Sequence, residues 1–204
     1  MTPKKFPREG SGRRRGPVRQ SARTLLIVCG SRETERQYLK GLRDHLRNPA
    51  VAVKVLNKPC SPTQLVTYAR DQREQNRDAY DEVWCVFDVD QFPDVADAVA
   101  QARRHGIEVA VSNPCFEVWL LLHFTDHRAS AETYKKLLPL LRKHVPAYDK
   151  ARVDFARYRE GLAAATERAV RLDPTGRDHT RNPSSGVWRL TDRMSPPAGN
   201  TPRP

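Results

Sequence analysis

The 204-residue chain carries 36 Lys and Arg against 24 Asp and Glu, a net charge of +12, and 38% of its residues are hydrophobic. The length fits one domain of ordinary size with tails, and the basic balance excludes an acidic solvating protein and favours a polyanionic partner, nucleic acid first. No apolar run is longer than Val118–Leu122, far short of the roughly 20 residues a membrane span needs; residues 1–23 hold no apolar stretch of a secretory signal, and Cys29, Cys60, Cys85 and Cys115 form no CxxC or zinc-finger spacing, which points to a reducing cytoplasm.

Residues 1–22 are rich in Pro, Gly, Ser and Arg and read as a disordered basic arm; residues 1–23 alone carry a net +7, leaving +5 for the rest. Thr24–Cys29 is a short apolar run bounded by Gly30, a strand. Glu33–Arg47 puts Tyr38, Leu39, Leu42 and Leu46 at helical spacing, and Val51–Leu56 is a β-branched strand. Ser61 and Pro62 open a helix that runs to about Asn76, with Ser at the N-cap and Pro in the first turn. Glu82–Phe87 is a third strand, Pro93–His105 a third helix with Val95, Val99 and Ala102 inward, and Ile107–Val111 a fourth strand. Asn113 and Pro114 then begin an apolar helix through Phe124, again as cap and first turn.

Strands alternating with helical crossovers predict an α/β fold: a mostly parallel sheet of about four strands with helices on both faces. Residues 129–172 read as mostly helical with a break at Pro146, Arg177–Asn182 as a polar loop and Pro183–Met194 as a last short helix. The expected division is an arm over 1–22, an α/β core over 23–128, a helical C-terminal extension over 129–194 and a disordered tail over 195–204.

Ligands of an open parallel sheet bind beyond the carboxyl ends of its strands. Three polar clusters fall at that edge: Gly30–Glu35, Asp88-Val89-Asp90 and Ser112–Glu117. Side chains alternate along an extended chain, so Asp88 and Asp90 are expected to point the same way. Two such carboxylates repel unless a cation lies between them, and a hard ion held by a few carboxylates and waters fits Mg2+, with Mn2+ as its substitute. That ion could polarise a phosphodiester and lower the pKa of an attacking water. The bland alternative has Asp90 capping the next turn and Asp88 merely solvated.

Glu33 and Glu35 lie in the first turn of the first helix, where they serve either its dipole or the site. Glu117 must pair with an arginine or face the metal edge, because an unpaired buried carboxylate is costly. Arg177 and Arg181 beside His179, Arg32, and Arg13, Arg14 and Arg15 of the arm are candidate phosphate contacts, with plain solvated surface as the alternative. His123 reads as a satisfied core histidine and Trp84 and Trp119 as core, with aromatics not interleaved with basic residues as in a stacking platform. GxGxxG, GxxxxGK[ST] and GxSxG are all absent from the sequence.

Ile27-Val28-Cys29 with Thr34-Glu35 and Tyr38-Leu39, Val86-Phe87-Asp88-Val89-Asp90, Asn113-Pro114-Cys115-Phe116-Glu117-Val118-Trp119-Leu120-Leu121, and Asn182-Pro183-Ser184-Ser185-Gly186-Val187 together resemble the RloB-like family, whose core looks like a Toprim domain. The resemblance runs over residues 24–194, and its Asn-Pro-x-Phe-Glu-x-Trp-Leu-Leu stretch is the most specific part. It implies a Toprim-like fold over the core, Mg2+-dependent cleavage or rejoining of nucleic acid, and bacterial anti-phage defence of the abortive-infection kind beside an ABC-type or AAA-like ATPase. It also implies a metal pair at Asp88 and Asp90 and a general acid/base glutamate just after the first strand. Gly30 stands where the family pattern places that glutamate, whereas Glu35 matches its Thr-Glu.

Three expectations follow. The first is a Mg2+-dependent nuclease, with Glu33 or Glu35 as acid/base, Asp88 and Asp90 on the metal and Glu117 as an auxiliary acid. The second is a non-catalytic nucleic-acid-binding or regulatory subunit that has lost the glutamate. A small-nucleotide phosphatase or binder comes third. DNA against RNA and self-association into a homo-oligomer stay open; a membrane partner is not expected.

Overall fold

The structure, a computed structural model, describes residues 22–31 and 33–196. The expected disordered arm up to residue 21, with Arg13, Arg14 and Arg15, lies outside the described residues, as do Arg32 and the tail from residue 197.

β1 (Arg23–Cys29), β2 (Val51–Asn57), β3 (Glu82–Asp88) and β4 (Glu108–Asn113) form a parallel sheet in the order β2-β1-β3-β4. β5 (Ser184–Ser185) adds an antiparallel edge to β4. The α/β class is as expected, with a fifth strand added. Leu25–Cys29 and Val83–Asp88 are buried throughout, as strands covered on both faces must be, whereas the edge strand β2 alternates.

α1 (Thr34–Leu46) turns Tyr38, Leu39 and Leu42 onto one face of the sheet, where Leu25, Ile27, Trp84 and Val86 meet them. α2 (Pro62–Gln75) and α3 (Val95–Arg104) cover the other face with Leu65, Val66, Ala69, Val95, Ala98 and Ala102. That division follows from right-handed crossovers: the chain steps one way from β1 to β2 and the other way from β2 to β3 and β4, so the helices change face. Ser61 and Pro62 start α2 as expected, and Gln64 accepts the Ser61 N–H at 3.4 Å.

α4 (Glu117–Leu122), α5 (Tyr134–His144), α6 (Leu162–Leu172) and α7 (Val187–Met194) join the α1 face, and Leu120, Leu137, Leu141, Ala165, Ala169 and Leu190 share one apolar cluster with the sheet. Tyr38 is its hub. Its hydroxyl meets His123 Nε2 at 2.9 Å, and Phe116, Trp119, Phe155 and Tyr158 pack edge-on around its ring. His123 is indeed a core histidine: its Nδ1 meets the Trp119 carbonyl at 2.9 Å, and burial pushes its pKa down to about 4. Trp84 and Trp119 are also core.

Two local expectations give way. Asn113 and Pro114 do not start a helix. Asn113 continues β4, its amide donates to the His179 carbonyl at 2.9 Å, and α4 begins only at Glu117. Pro183 does not start one either, because Ser184 and Ser185 pair with Asn113 and Ser112 before α7 begins at Val187. In both places strand pairing with a distant segment outweighs a local capping signal.

Gly41 on α1 faces Phe155 so closely that a Cβ there would overlap the phenyl side chain. Gly41→Ala gains about 1 kcal/mol of helix propensity but overpacks the core, at about 1–3 kcal/mol. The net expectation is a melting temperature a few degrees lower, checked by thermal unfolding; an unchanged value would show that Phe155 repacks freely.

Candidate active site

In the order β2-β1-β3, the connections from neighbouring strands leave in opposite directions between β1 and β3, and a crevice opens beyond their carboxyl ends. A cleft of about 600 Å³ lies there. Its floor holds Glu35 from the first turn of α1, Asp88 from the end of β3 and Glu117 from the start of α4. Cys29 pairs with Val86, so Asp88 extends two positions past the end of β1 and reaches the space that Glu35 enters from above.

The carboxylates are deeply buried: Glu35 is 1% exposed, Asp88 8% and Glu117 1%. Glu35 Oε1 and Oε2, Asp88 Oδ1 and Glu117 Oε2 have no partner of hydrogen-bonding geometry. Burial and the nearby Glu117 charge push Glu35 up to about 8. Burial, Glu35 and Glu117 push Asp88 well above the usual carboxylate range. Four orphaned acceptors around one cleft cost free energy unless a cation or protons reach them, so the donor set is one a hard divalent ion would satisfy. Among the described residues, no group of three or more Asp, Glu, His or Cys side chains is arranged so that it could hold a metal ion by itself. An ion here would complete its shell with water or substrate oxygens, as Mg2+ commonly does.

The remaining sequence candidates fall in different places. Glu33 reaches the mouth of the cleft, but its carboxylate is engaged by Arg36 at 3.2 Å and the Gln37 amide at 3.2 Å. Asp90 does not follow Asp88 into the floor, since β3 ends at Asp88 and strand alternation ends with it. The N–H groups of Val89 and Asp90 both turn to the Pro114 carbonyl. Asp90 is exposed, and its Oδ2 accepts the Tyr134 N–H at 3.4 Å at the start of α5. Arg177 lies at the opposite end of the sheet, 3.3 Å from Glu108 at the start of β4, and Arg181 donates to the Leu172 carbonyl.

Gly30 lines the cleft, but a side chain there would start toward the α2 face: its Cβ would lie 3.3 Å from Leu65 Cδ2 and 3.4 Å from Phe87 Cβ. Asp88 is in phase with Trp84 and Val86, on the α1 and α4 face. Glu35 therefore occupies the side of the sheet where the other two carboxylates lie.

A family model described as RloB-like protein matches residues 25–194, a span that takes in the whole floor of this cleft. The chain belongs to the RloB-like family. No curated protein and no solved structure matches it.

In this RloB-like chain the two Asn-Pro segments are brought together. Ser112 and Ser185 hydroxyls meet at 3.0 Å, and Asn182 clamps Ala131 through its N–H at 3.0 Å and its carbonyl at 2.8 Å. The loop after α5 supplies two site residues that sequence reasoning missed. Tyr148 donates its hydroxyl to Glu117 Oε1 at 2.7 Å, and Lys150 Nζ lies 3.3 Å from the same oxygen. Lys150 is further held by the Tyr134 ring at 3.7 Å, and its carbonyl by the Thr34 hydroxyl at 3.1 Å. Burial opposes its charge, but Glu117 and the neighbouring acids outweigh that and raise its pKa. Of the two expected alternatives for Glu117, an arginine or the metal edge, it takes the second, on the cleft floor with Glu35 and Asp88, and its charge partner is a lysine, with a tyrosine beside it. Nothing in the local sequence marks either residue. No helix among the described residues is long and apolar enough to cross a membrane.

Proposed function

We propose that this cleft is the active site of a Mg2+-dependent, phosphodiester-cleaving nuclease of Toprim-like architecture. The observation that carries this is the convergence of Glu35, Asp88 and Glu117, buried and short of partners, at the switch point of a parallel sheet. The strongly basic sequence supports a nucleic-acid substrate. The anti-phage setting and an ABC- or AAA-type ATPase partner follow from the family resemblance and belong to the same proposal.

Asp88 and Glu117 would hold the ion, with Asp90 at the rim. Bound there, the ion would polarise the phosphodiester and lower the pKa of the attacking water. Glu35, on the same side of the sheet as the other two carboxylates, would serve as the general acid that gives a proton to the leaving oxygen. Tyr148 orients Glu117 by donating to Oε1. Lys150 offsets part of the acidic charge and presents an ammonium to an incoming phosphate.

The test is calorimetric titration of the chain with Mg2+ and Mn2+, with plasmid and RNA cleavage on the same samples. Metal binding with metal-dependent cleavage is the expected result. Nucleic-acid binding indifferent to metal, without cleavage, would favour the second reading, a non-catalytic subunit, which Gly30 at the family's glutamate position supports. Lys150→Met is expected to slow metal-dependent cleavage by roughly 10²-fold, with Lys150→Arg retaining more; equal rates in the single-turnover assay would remove Lys150 from the reaction.

A further inference from the structure

Phe92 is the one large apolar side chain exposed among the described residues, at 37%. It lies with Gln91 in the connection from β3 to α3, and both line the cleft that holds Glu35 and Asp88. Full burial of a phenylalanine is worth about 1.5–3 kcal/mol, and the fold forgoes part of it here. Pro59 and Cys60 stand on the same cleft from the connection between β2 and α2. The lining therefore joins the buried carboxylates, with Lys150 and Glu33 nearer solvent, to a ring, an amide and a proline from the connections after β2 and β3.

A phosphodiester that reaches the floor carries its base with it. A flat apolar ring beside an amide fits that base: the ring takes its π-face, and the amide can both donate to and accept from its edge. Inside a duplex each base face is covered by its neighbours, so only an unpaired base can offer a face to Phe92. We propose that Phe92 is a stacking platform for an unpaired nucleobase beside the scissile phosphate, with Gln91 on the base edge, so that the cleft takes single-stranded or locally opened nucleic acid. The proposal rests on the nuclease reading of the same cleft and names its substrate class.

The experiment measures equilibrium binding of the full chain to short labelled single strands of DNA and of RNA, and to the matching duplexes, by fluorescence anisotropy without metal. Phe92→Ala is expected to weaken single-strand binding by about 5- to 100-fold and to leave duplex binding unchanged. Phe92→Trp should keep the affinity, and its indole fluorescence should be quenched when a single strand is added. Trp84 and Trp119 are buried and Trp188 half-buried, so the change in quenching relative to wild type reports on position 92. Whichever single strand loses more in Phe92→Ala identifies the sugar, and either result supports the proposal. Equal single-strand affinity in Phe92→Ala and wild type, or an equal loss on single strand and duplex, overturns it. Binding is read apart from cleavage, so a chain that never cleaves refutes the nuclease reading alone, and cleavage indifferent to Phe92 on single strands refutes the stacking alone.

Discussion

Asp88→Asn is expected to abolish metal-dependent cleavage and Mg2+ binding while raising the melting temperature of the metal-free chain. The two effects have one cause. Asp88 shares its site with Glu35 and Glu117, and burial and both neighbours already push its pKa well up. Its charge is useful only when a cation shares it, and without one it destabilises the fold. The isosteric amide removes the repulsion and the ligand together. Cleavage, calorimetry and thermal unfolding of one preparation check it. Retained cleavage would remove Asp88 from the metal site, and a lower melting temperature would show that the carboxylate is satisfied within the protein.

The metal-free chain is expected to lose stability as pH rises from about 4.5 to about 8, with Glu35 as a main cause. Its folded pKa lies above its ordinary value of 4.5, at about 8. The folded state thus holds this proton more tightly than the unfolded chain. The contribution is fully present below about 4.5 and is lost as pH rises through the window to about 8. Each unit of such a shift is worth about 1.4 kcal/mol, so the change is on the order of a few kcal/mol and, for a domain of this size, roughly 10 °C in melting temperature.

Asp88, shifted in the same direction by burial and by its neighbours, adds to the slope. Glu35→Gln should flatten the profile and melt higher than wild type at pH 8. Added Mg2+ should stabilise wild type more at pH 8 than at pH 5, since it competes with protons for the same oxygens. Parallel profiles for wild type and Glu35→Gln would show that Glu35 titrates normally.

Much of the fold was legible because its signals are local. The apolar runs at β1 and β3 and the period of α1 place those elements within a residue or two of where the structure has them. Ser61 and Pro62 mark the start of α2 because a cap and a fixed φ act within one turn. The same signal misled at Asn113 and Pro114, where the pairing of β4 with β5 lies 73 positions away along the chain. Strand alternation carries Asp88 into the cleft and stops before Asp90, because β3 ends between them and the Pro114 carbonyl that gathers the next two N–H groups belongs to another segment.

The amino-acid sequence alone determined the α/β class, the strand and helix alternation, the family, and Glu35, Asp88 and Glu117 as candidates at one sheet edge. Those follow from residue type and short-range spacing. Only the tertiary structure decided which face of the sheet each carboxylate occupies, that Glu33 is engaged by Arg36 and Gln37, that Tyr148 and Lys150 close on Glu117, and that Phe92 stays exposed in the cleft lining. The Glu33 contacts lie within one helical turn; the others depend on segments far apart in the chain meeting across a packed core, and burial and electrostatic neighbourhood exist only once that core has formed.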